Sequence, residues 1–110
     1  NDEAKDFLAN FEETKDLTLI EKTLDKVISE NDYLDAPTSQ QAIDAVQILK
    51  NLQKDYVKSE ENILLFQKSE RVIKRILEKS ELKELWSDSP EFNDWVKSLT
   101  ELLESMQNNL

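Results

Sequence analysis

The amino-acid sequence predicts an all-α protein, a compact antiparallel bundle or array of five to six helices in a single domain over residues 1–110. Apolar residues recur every three or four positions through most of the chain, which is the repeat of a helix that buries one face. The chain contains no glycine and only two prolines, whereas tight β-hairpins depend heavily on glycine turns. Charged residues account for 35% of the chain, well above the ~25% of an average protein, and Glu and Lys favour helices.

The first helix is predicted over residues 2–14, where four apolar side chains share one face: Ala4, Phe7, Leu8 and Phe11. A second helix follows a short connection, and Thr18 and Glu21 have the spacing of a capping box. Its buried face should contain Leu17, Ile20, Leu24, Val27 and Ile28, with Leu19 on the opposite side. Asn31 is expected to end this helix in the left-handed conformation, the role that glycine usually fills.

A third helix is predicted from Thr38, which is spaced with Gln41 as another capping box, to about Lys54. Ala36 should be extended, because the proline that follows it disfavours helical angles. The helix has a broad apolar face and should therefore be central; this face contains Ala42, Ile43, Ala45, Val46, Ile48, Leu49 and Leu52. Residues 55–59 are predicted to form a turn.

A fourth helix is predicted over residues 60–79, and two adjoining apolar stripes indicate that it is mostly enclosed. Ser80 can cap a short fifth helix over residues 81–86, whose inward side should contain Leu82, Leu85 and Trp86. The last helix has the clearest pattern, with Ser89 as N-cap and Pro90 as the first helical residue. Its apolar face contains Phe92, Trp95, Val96, Leu99, Leu102, Leu103 and Met106.

The formal net charge is −10 at pH 7, and it is unevenly distributed. Residues 1–37 carry 11 acidic and 4 basic side chains, residues 38–79 carry 6 and 8, and residues 80–110 carry 7 and 2. This balance opposes binding to nucleic acid, where neutralisation of phosphate by Lys and Arg supplies much of the affinity, and it opposes binding to anionic membranes for the same reason. A charged partner should therefore be a basic protein.

The chain contains no histidine, cysteine or glycine. Histidine and cysteine are the usual general base, activated nucleophile and zinc ligands, and phosphate-cradling loops require glycine. We therefore expect no enzyme activity and no cofactor. The lack of cysteine suits a reducing compartment, and no apolar run approaches the ~20 residues that span a bilayer, so a cytoplasmic location is expected.

Two sets of charged residues, the loop acids and the basic stripe, each have a structural and a functional interpretation. The loop acids are Glu30, Asp32 and Asp35, whose oxygens could bind Mg²⁺ or Ca²⁺; the absence of an EF-hand glycine and spacing favours solvated acids and no metal site. The basic stripe on the fourth helix contains Lys68, Arg71, Arg75 and Lys79. It could bind phosphate, but in so acidic a chain pairing with acids of neighbouring helices is favoured.

The segment Asp32, Tyr33, Leu34 and Asp35 is the predicted partner-binding site. Tyr33 and Leu34 lie on an extended stretch that has no helical face to bury them, so exposed recognition and docking on the bundle are both open interpretations. Trp86 and Trp95 could also anchor a partner, because Trp is enriched at binding hot spots, but their positions on apolar stripes favour core packing.

Three motifs occur in order along the chain: Asn1-Asp2-Glu3-Ala4-x-Asp6-Phe7-Leu8, Tyr33-Leu34-Asp35-Ala36-Pro37 and Ser80-Glu81-Leu82-Lys83-Glu84-Leu85-Trp86. Together they resemble a family of small bacterial proteins catalogued as a domain of unknown function. Members of that family usually open with Met-Gly-x-Trp-Gly before an Asn-Asp pair, and the present sequence does not contain that opening segment. The resemblance implies a bacterial, cytoplasmic protein with no established activity, and it assigns no catalytic residues.

The leading hypothesis is a non-enzymatic, acidic interaction module that binds a basic protein partner. Its most concrete version is an immunity or neutralising protein for a basic toxin. The alternative is a structural protein that self-associates, for example as a homodimer, through Leu19, Tyr33, Leu34 or apolar surface left on the last helix. A third hypothesis is a metal site made of carboxylates alone.

Overall fold

The computed structural model describes residues 17–52 and 60–108, and within these ranges every regular element is an α-helix. The helices are α1 (Leu17–Ser29), α2 (Ala36–Leu52), α3 (Glu60–Glu78), α4 (Glu81–Ser87) and α5 (Phe92–Gln107). The all-α prediction is therefore confirmed. The helix predicted over residues 2–14 and the turn predicted at 55–59 lie outside the described residues. None of the described helices is long and apolar enough to cross a membrane.

One hydrophobic core joins α1, α2, α3 and α5. α1 packs mainly against α2 and α3, α3 packs mainly against α5, and α2 contacts each of the other four helices. The central position expected for α2 is thus observed. The core contains, among others, the fully buried side chains of Ile20, Leu24, Val27, Val46, Val72, Ile73, Ile76 and Met106. Leu19, which was predicted to point away, is half-buried at the edge of this core, because α1 is covered on two sides.

Small side chains let the helices approach closely in this glycine-free chain. Three residues of α2 have no exposed surface and recur at one-turn intervals: Ser39, Ala42 and Ala45. Ser69 on α3 is equally buried. The serine hydroxyls are satisfied within their own chain segment, since Ser39 Oγ donates to the Asp35 carbonyl at 2.9 Å and Ser69 Oγ donates to the Leu65 carbonyl at 2.8 Å. Burial therefore leaves no unpaired hydroxyl donor at either serine.

Helix α2 begins two residues earlier than predicted, at Ala36. Asp35 caps it, because its Oδ1 accepts the Thr38 N–H at 2.7 Å and its carbonyl accepts the Ser39 N–H at 3.1 Å. The capping box predicted at Thr38 and Gln41 is therefore wrong, and so is the extended conformation predicted for Ala36. The proline that follows is compatible with this start, since the first turn of a helix has no intrahelical use for its N–H groups.

Two other predicted N-caps are wrong. Thr18 lies inside α1 as its second residue. Helix α5 begins at Phe92, and Ser89 instead stabilises the turn before it. There the Ser89 Oγ accepts the Glu91 N–H at 3.1 Å, and the Ser89 carbonyl accepts the Phe92 N–H at 3.1 Å. Pro90 thus belongs to this turn and not to the helix.

Helix α4 is capped as predicted by Ser80, whose Oγ accepts a first-turn N–H at 3.0 Å. Leu82 is buried and Trp86 is half-buried, but Leu85 is 62% exposed, so its predicted inward orientation is wrong. At ~100° per residue, Leu85 lies about 60° from Leu82 and only about 40° from Glu81. Leu85 therefore shares the outer flank of α4 with Glu81.

Trp86 and Trp95 stack on each other and join α4 to α5. Their ring centroids are 6.0 Å apart with the planes at 13°, and Phe92 stacks on Trp95 at 6.1 Å. Both indoles are half-buried, and Trp95 packs against the edge of the core. The packing interpretation of the two tryptophans therefore agrees with their positions, because stacked aromatic pairs stabilise an interface beyond their buried area.

Leu34 and Leu64 provide a matched test of the core. Leu34 is 2% exposed although it lies in a loop, whereas Leu64 on α3 is 53% exposed. Leu34→Ala should lower the free energy of unfolding by ~2–5 kcal/mol, because it removes buried methyl groups and leaves a cavity. Leu64→Ala should change it by less than ~0.5 kcal/mol. Urea unfolding followed by circular dichroism measures both, and equal effects would contradict the burial of Leu34.

Candidate functional site

The candidate site lies where the loop between α1 and α2, residues 30–35, meets the start of α4. This loop has no regular secondary structure, so its backbone polar groups need partners elsewhere. Arg75 on α3 supplies them on one side. Its Nη1 donates to the Glu30 carbonyl at 2.6 Å, its Nη2 to the Asp32 carbonyl at 3.1 Å and its Nε to the Lys79 carbonyl at 3.1 Å. The guanidinium therefore ties the loop to the end of α3.

Glu81 holds the same loop from α4. Its Oε1 accepts the Ala36 N–H at 2.8 Å, and its Oε2 accepts the hydrogen bond donated by the Tyr33 hydroxyl. The Glu81 N–H in turn donates to the Leu34 carbonyl at 2.9 Å. Hydrogen bonds to a carboxylate are stronger than those between neutral groups. Two of the three motifs that carry the family resemblance are thus in direct contact, although Tyr33 and Glu81 are 48 residues apart in the chain.

Two large apolar side chains remain exposed beside this contact. Tyr33 is 57% exposed and Leu85 is 62% exposed, and Leu85 lies one helical turn after Glu81. The charges of Asp35 and Glu84 both act on the Tyr33 hydroxyl. We call the surface formed by Tyr33, Asp35, Glu81, Glu84 and Leu85 the Tyr33–Leu85 patch. It combines exposed apolar area with negative charge, which a basic protein surface with apolar side chains would complement.

Hydrogen bonding sets the protonation of this patch. The bond that Tyr33 donates to Glu81 is the main reason that the pKa of Tyr33 rises from 10.0 to about 12, and desolvation and the charges of Glu81, Glu84 and Asp35 raise it further. The same bond, together with the Ala36 N–H, lowers the pKa of Glu81. At neutral pH the pair is therefore a neutral phenol that donates to a charged carboxylate, and the patch keeps its negative charge.

The four residues of the predicted partner-binding segment have different environments. Tyr33 is exposed, but Leu34 packs in the core, so Leu34 docks on the bundle, which is one of its two open interpretations, and it is not placed to face a partner. Successive side chains of an extended segment point to opposite sides, which explains why these neighbours differ. Asp35 is exposed and caps α2. Asp32 is exposed, and its carboxylate has no hydrogen bond or ion pair within the residues that the structure describes. Partner binding by Asp32, Tyr33 and Asp35 stays a prediction.

Two of the three loop acids, Glu30 and Asp35, accept hydrogen bonds from backbone N–H groups. Glu30 Oε1 accepts the Asp32 N–H at 3.0 Å, and the Asp35 carboxylate is occupied by the first turn of α2. Among residues 17–52 and 60–108, no group of three or more acidic side chains is placed to hold a metal ion. Glu30 and Asp35 thus have local structural roles, which the interpretation as solvated acids did not include.

The basic stripe on α3 divides into bound and unbound cations. Lys68 forms an ion pair with Asp25 on α1 at 2.9 Å, as pairing between neighbouring helices predicts, and this contact is the main reason that the pKa of Lys68 is raised. Arg75 binds backbone carbonyls instead. Arg71 and Lys79 are exposed, and their side chains have no hydrogen bond or ion pair in the described part of the chain.

Sequence reasoning missed the roles of Arg75, Glu81 and Leu85. Helical spacing shows which face of α3 carries Arg75 but not which loop its side chain reaches. Glu81 could equally be an acid that suits the positive end of the α4 dipole. One signal was available, since an irregular loop that is partly buried needs long polar side chains from elsewhere to satisfy its backbone.

The model of a protein family described as "Domain of unknown function (DUF4259)" matches residues 1–98 of the chain. The matched range includes the loop of residues 30–35, Arg75 and the whole Tyr33–Leu85 patch. No curated protein and no solved structure matches the chain. The description of the family assigns no activity, so the contacts and charges described above are the basis for a functional proposal.

Arg75 and Arg71 test the attachment of the loop, because they are the same residue type one turn apart on α3. Arg75→Ala should lower the free energy of unfolding by about 1–3 kcal/mol, since three backbone carbonyls lose a charged donor, whereas Arg71→Ala should change it by less than about 0.5 kcal/mol. Arg75→Lys should remain destabilised, because lysine lacks the guanidinium fork. Denaturant titration measures all three variants, and wild-type stability of Arg75→Lys would contradict the assigned hydrogen bonds.

Tyr33 should titrate abnormally. In a Tyr56→Phe background, which leaves one tyrosine, its phenol should stay mostly protonated at about pH 11, where an ordinary tyrosine is mostly ionised. Because the pKa of Tyr33 is raised on folding, its contribution to stability is complete below pH 10 and is lost as the pH rises toward 12. Near-ultraviolet absorbance reports the titration. Glu81→Ala should return the pKa of Tyr33 toward its ordinary value, and an unchanged titration in that variant would contradict the contact.

Proposed function

The chain belongs to the family described as Domain of unknown function (DUF4259), and we propose that it is a non-enzymatic protein-binding module whose Tyr33–Leu85 patch binds a basic protein partner. The observation that carries the proposal is the pairing of two exposed apolar side chains with carboxylates on one surface. Within the described residues, the large exposed hydrophobic side chains are Tyr33, Leu64 and Leu85, and two of these three flank Glu81.

Tyr33 is suited to be the anchor of such an interface. Its hydroxyl is held by Glu81, so the ring is already oriented and loses little conformational freedom when a partner covers it. Tyrosine supplies a large apolar contact together with a polar tip, and it is enriched at the centres of interfaces. Leu85 extends the apolar contact along α4.

The charges of the surface favour a basic partner. Asp35 and Glu84 are exposed within the patch, and Asp32 adds a further exposed carboxylate beside it. The whole chain carries a formal charge of −10, so a basic protein would be attracted over a distance and would associate rapidly at low ionic strength. Lysine or arginine side chains of the partner would pair with the carboxylates while its apolar residues cover Tyr33 and Leu85.

An immunity or neutralising protein for a basic toxin is the specific form that we propose. A compact helical scaffold with an acidic surface can mask a basic functional surface without catalysing any reaction, and the sequence has neither histidine nor cysteine with which to build common catalytic sites. We further propose a bacterial, cytoplasmic setting, which follows from the family resemblance and from the lack of cysteine.

Self-association is the less favoured alternative. Of the surfaces through which it was predicted, Leu34 is buried in the core, Leu19 is half-buried, and every residue on the apolar face of the last helix is buried or half-buried, so Tyr33 is the one that is exposed. Two copies that each carry a charge of −10 also repel each other at low ionic strength. The proposal therefore commits to a different protein as the partner.

Affinity purification from a bacterial lysate, followed by calorimetry with the purified partner, tests the proposal. The expected partner is a basic protein that binds at low salt and whose affinity falls at about 0.5 M salt. The double variant Tyr33→Ala/Leu85→Ala should lower its affinity by about tenfold or more, because it removes both apolar contacts. Leu64→Ala is the matched control, since it removes a similarly exposed leucine on α3 and should bind as the wild type does.

The charge contribution has its own control. Glu84→Lys should slow association, whereas Asp94→Lys reverses an exposed acid on α5 and should have a smaller effect. A failure to find any partner, or an affinity that the double variant leaves unchanged, would overturn the proposed role of the patch. Light scattering that detects a dimer abolished by the double variant would assign the surface to self-association instead.

A further inference from the structure

A cleft of about 400 Å³ lies between the end of α1 and the C-terminal half of α3. This volume falls within the ~300–1,000 Å³ of typical small-molecule sites. Three cations of α3 line it, Arg71, Lys74 and Arg75, and the half-buried Ile28 contributes apolar surface. None of these residues belongs to the Tyr33–Leu85 patch, so the cleft is a separate surface.

The guanidinium of Arg75 is held rigidly beside this cleft. Three of its five N–H groups donate to the backbone carbonyls of Glu30, Asp32 and Lys79, and the remaining two have no acceptor among the residues that the structure describes. Its orientation is therefore fixed before any ligand binds. A fixed donor loses little freedom on binding, which favours affinity.

Arg71 lies one turn earlier on α3 and is exposed, without a hydrogen bond or ion pair in the described part of the chain. Lys74 forms an ion pair with Glu70, with a distance of 2.8 Å between Nζ and Oε1. Glu78 is an acid on the rim, so the basic side chains that line the cleft outnumber the acidic ones by two. The cleft is therefore lined by an excess of positive charge, although the whole chain carries −10.

We propose that this cleft binds a small organic anion, a phosphate or carboxylate group carried on a compact apolar group. The oxyanion lies between Arg71 and Arg75, because the guanidinium fork donates parallel hydrogen bonds to such oxygens, and the apolar group packs on Ile28. Lys74 contributes a further positive charge at the rim. This site is independent of the proposed protein-binding surface.

Chemical-shift titration of the isotope-labelled chain tests the proposal with four probes: phenyl phosphate, benzoate, inorganic phosphate and benzyl alcohol. Phenyl phosphate or benzoate should bind most tightly, and the tighter of the two identifies the anionic group. Inorganic phosphate should bind more weakly because it lacks the apolar group, and neutral benzyl alcohol should bind weakest. The perturbed amides should cluster around Ile28, Arg71 and Val72.

A matched pair of variants separates a built site from general charge attraction. Arg71→Gln should lower the affinity for the tightest-binding probe by about tenfold. The melting temperature should stay unchanged, because the Arg71 side chain makes no structural contact in the described part of the chain. Lys97→Gln removes one exposed cation from α5, outside the cleft, and should bind as the wild type does. The proposal would be overturned if both variants weakened anion binding equally or if benzyl alcohol bound as tightly as the anionic probes. It would also be overturned if the perturbed amides lay outside the cleft or if no probe bound.

Discussion

The burial of Leu34 is the constraint on which the rest of the structure depends. A leucine in an irregular loop can enter the core only if the backbone around it finds hydrogen-bond partners that a helix would have provided internally. Arg75 and Glu81 supply those partners from two other helices. The loop therefore fixes the end of α3 and the start of α4 relative to α1 and α2, through contacts between residues about 45 positions apart. The exposure of Tyr33 follows directly, because its neighbour points inward.

At two helix junctions in the described part of this glycine-free chain, polar side chains supply the hydrogen bonds that end or begin a helix. Ser80 shows how, because its Oγ donates to the Ile76 carbonyl at 2.9 Å and accepts the Lys83 N–H at 3.0 Å. One buried hydroxyl thus serves both the last turn of α3 and the first turn of α4. Asp35 similarly caps the start of α2, where its carboxylate accepts the Thr38 N–H. Rigid junctions of this kind hold the nearby surface residues in fixed positions, which benefits any binding surface built on them.

The helices could be predicted from the sequence, and their contacts could not. Apolar periodicity located α1 to α5 because burial of one face is a property that each helix expresses in its own residues. The start of α2 was misplaced because Asp35 and Thr38 can both cap a helix. A distant residue decides between them, since Glu81 accepts the Ala36 N–H and so favours a helix that begins at that residue. Leu85 was misplaced for the same reason, because the attachment of Glu81 sets the rotation of α4.

Of the two large side chains in the predicted partner-binding segment, Tyr33 is exposed and Leu34 is buried. The other exposed apolar residue of the patch, Leu85, belongs to α4 and was not part of the predicted segment. No local pattern connects Tyr33 with Leu85, because their proximity depends on the hydrogen bond between Tyr33 and Glu81. The basic stripe was similarly divided by tertiary contacts. Lys68 reaches an acid on α1, while Arg75 reaches carbonyls that carry no formal charge.

This choice of acceptor by Arg75 explains how two surfaces of opposite charge can adjoin one loop. Had the guanidinium paired with the carboxylates of Glu30 or Asp32, both charges would have been cancelled at the protein surface. It binds their backbone carbonyls instead, so the Asp32 carboxylate is left free to act beside the Tyr33–Leu85 patch, and the full positive charge of Arg75 is retained at the cleft on α3. A structural contact that satisfies backbone dipoles thereby leaves an anionic and a cationic surface available on either side of the same loop.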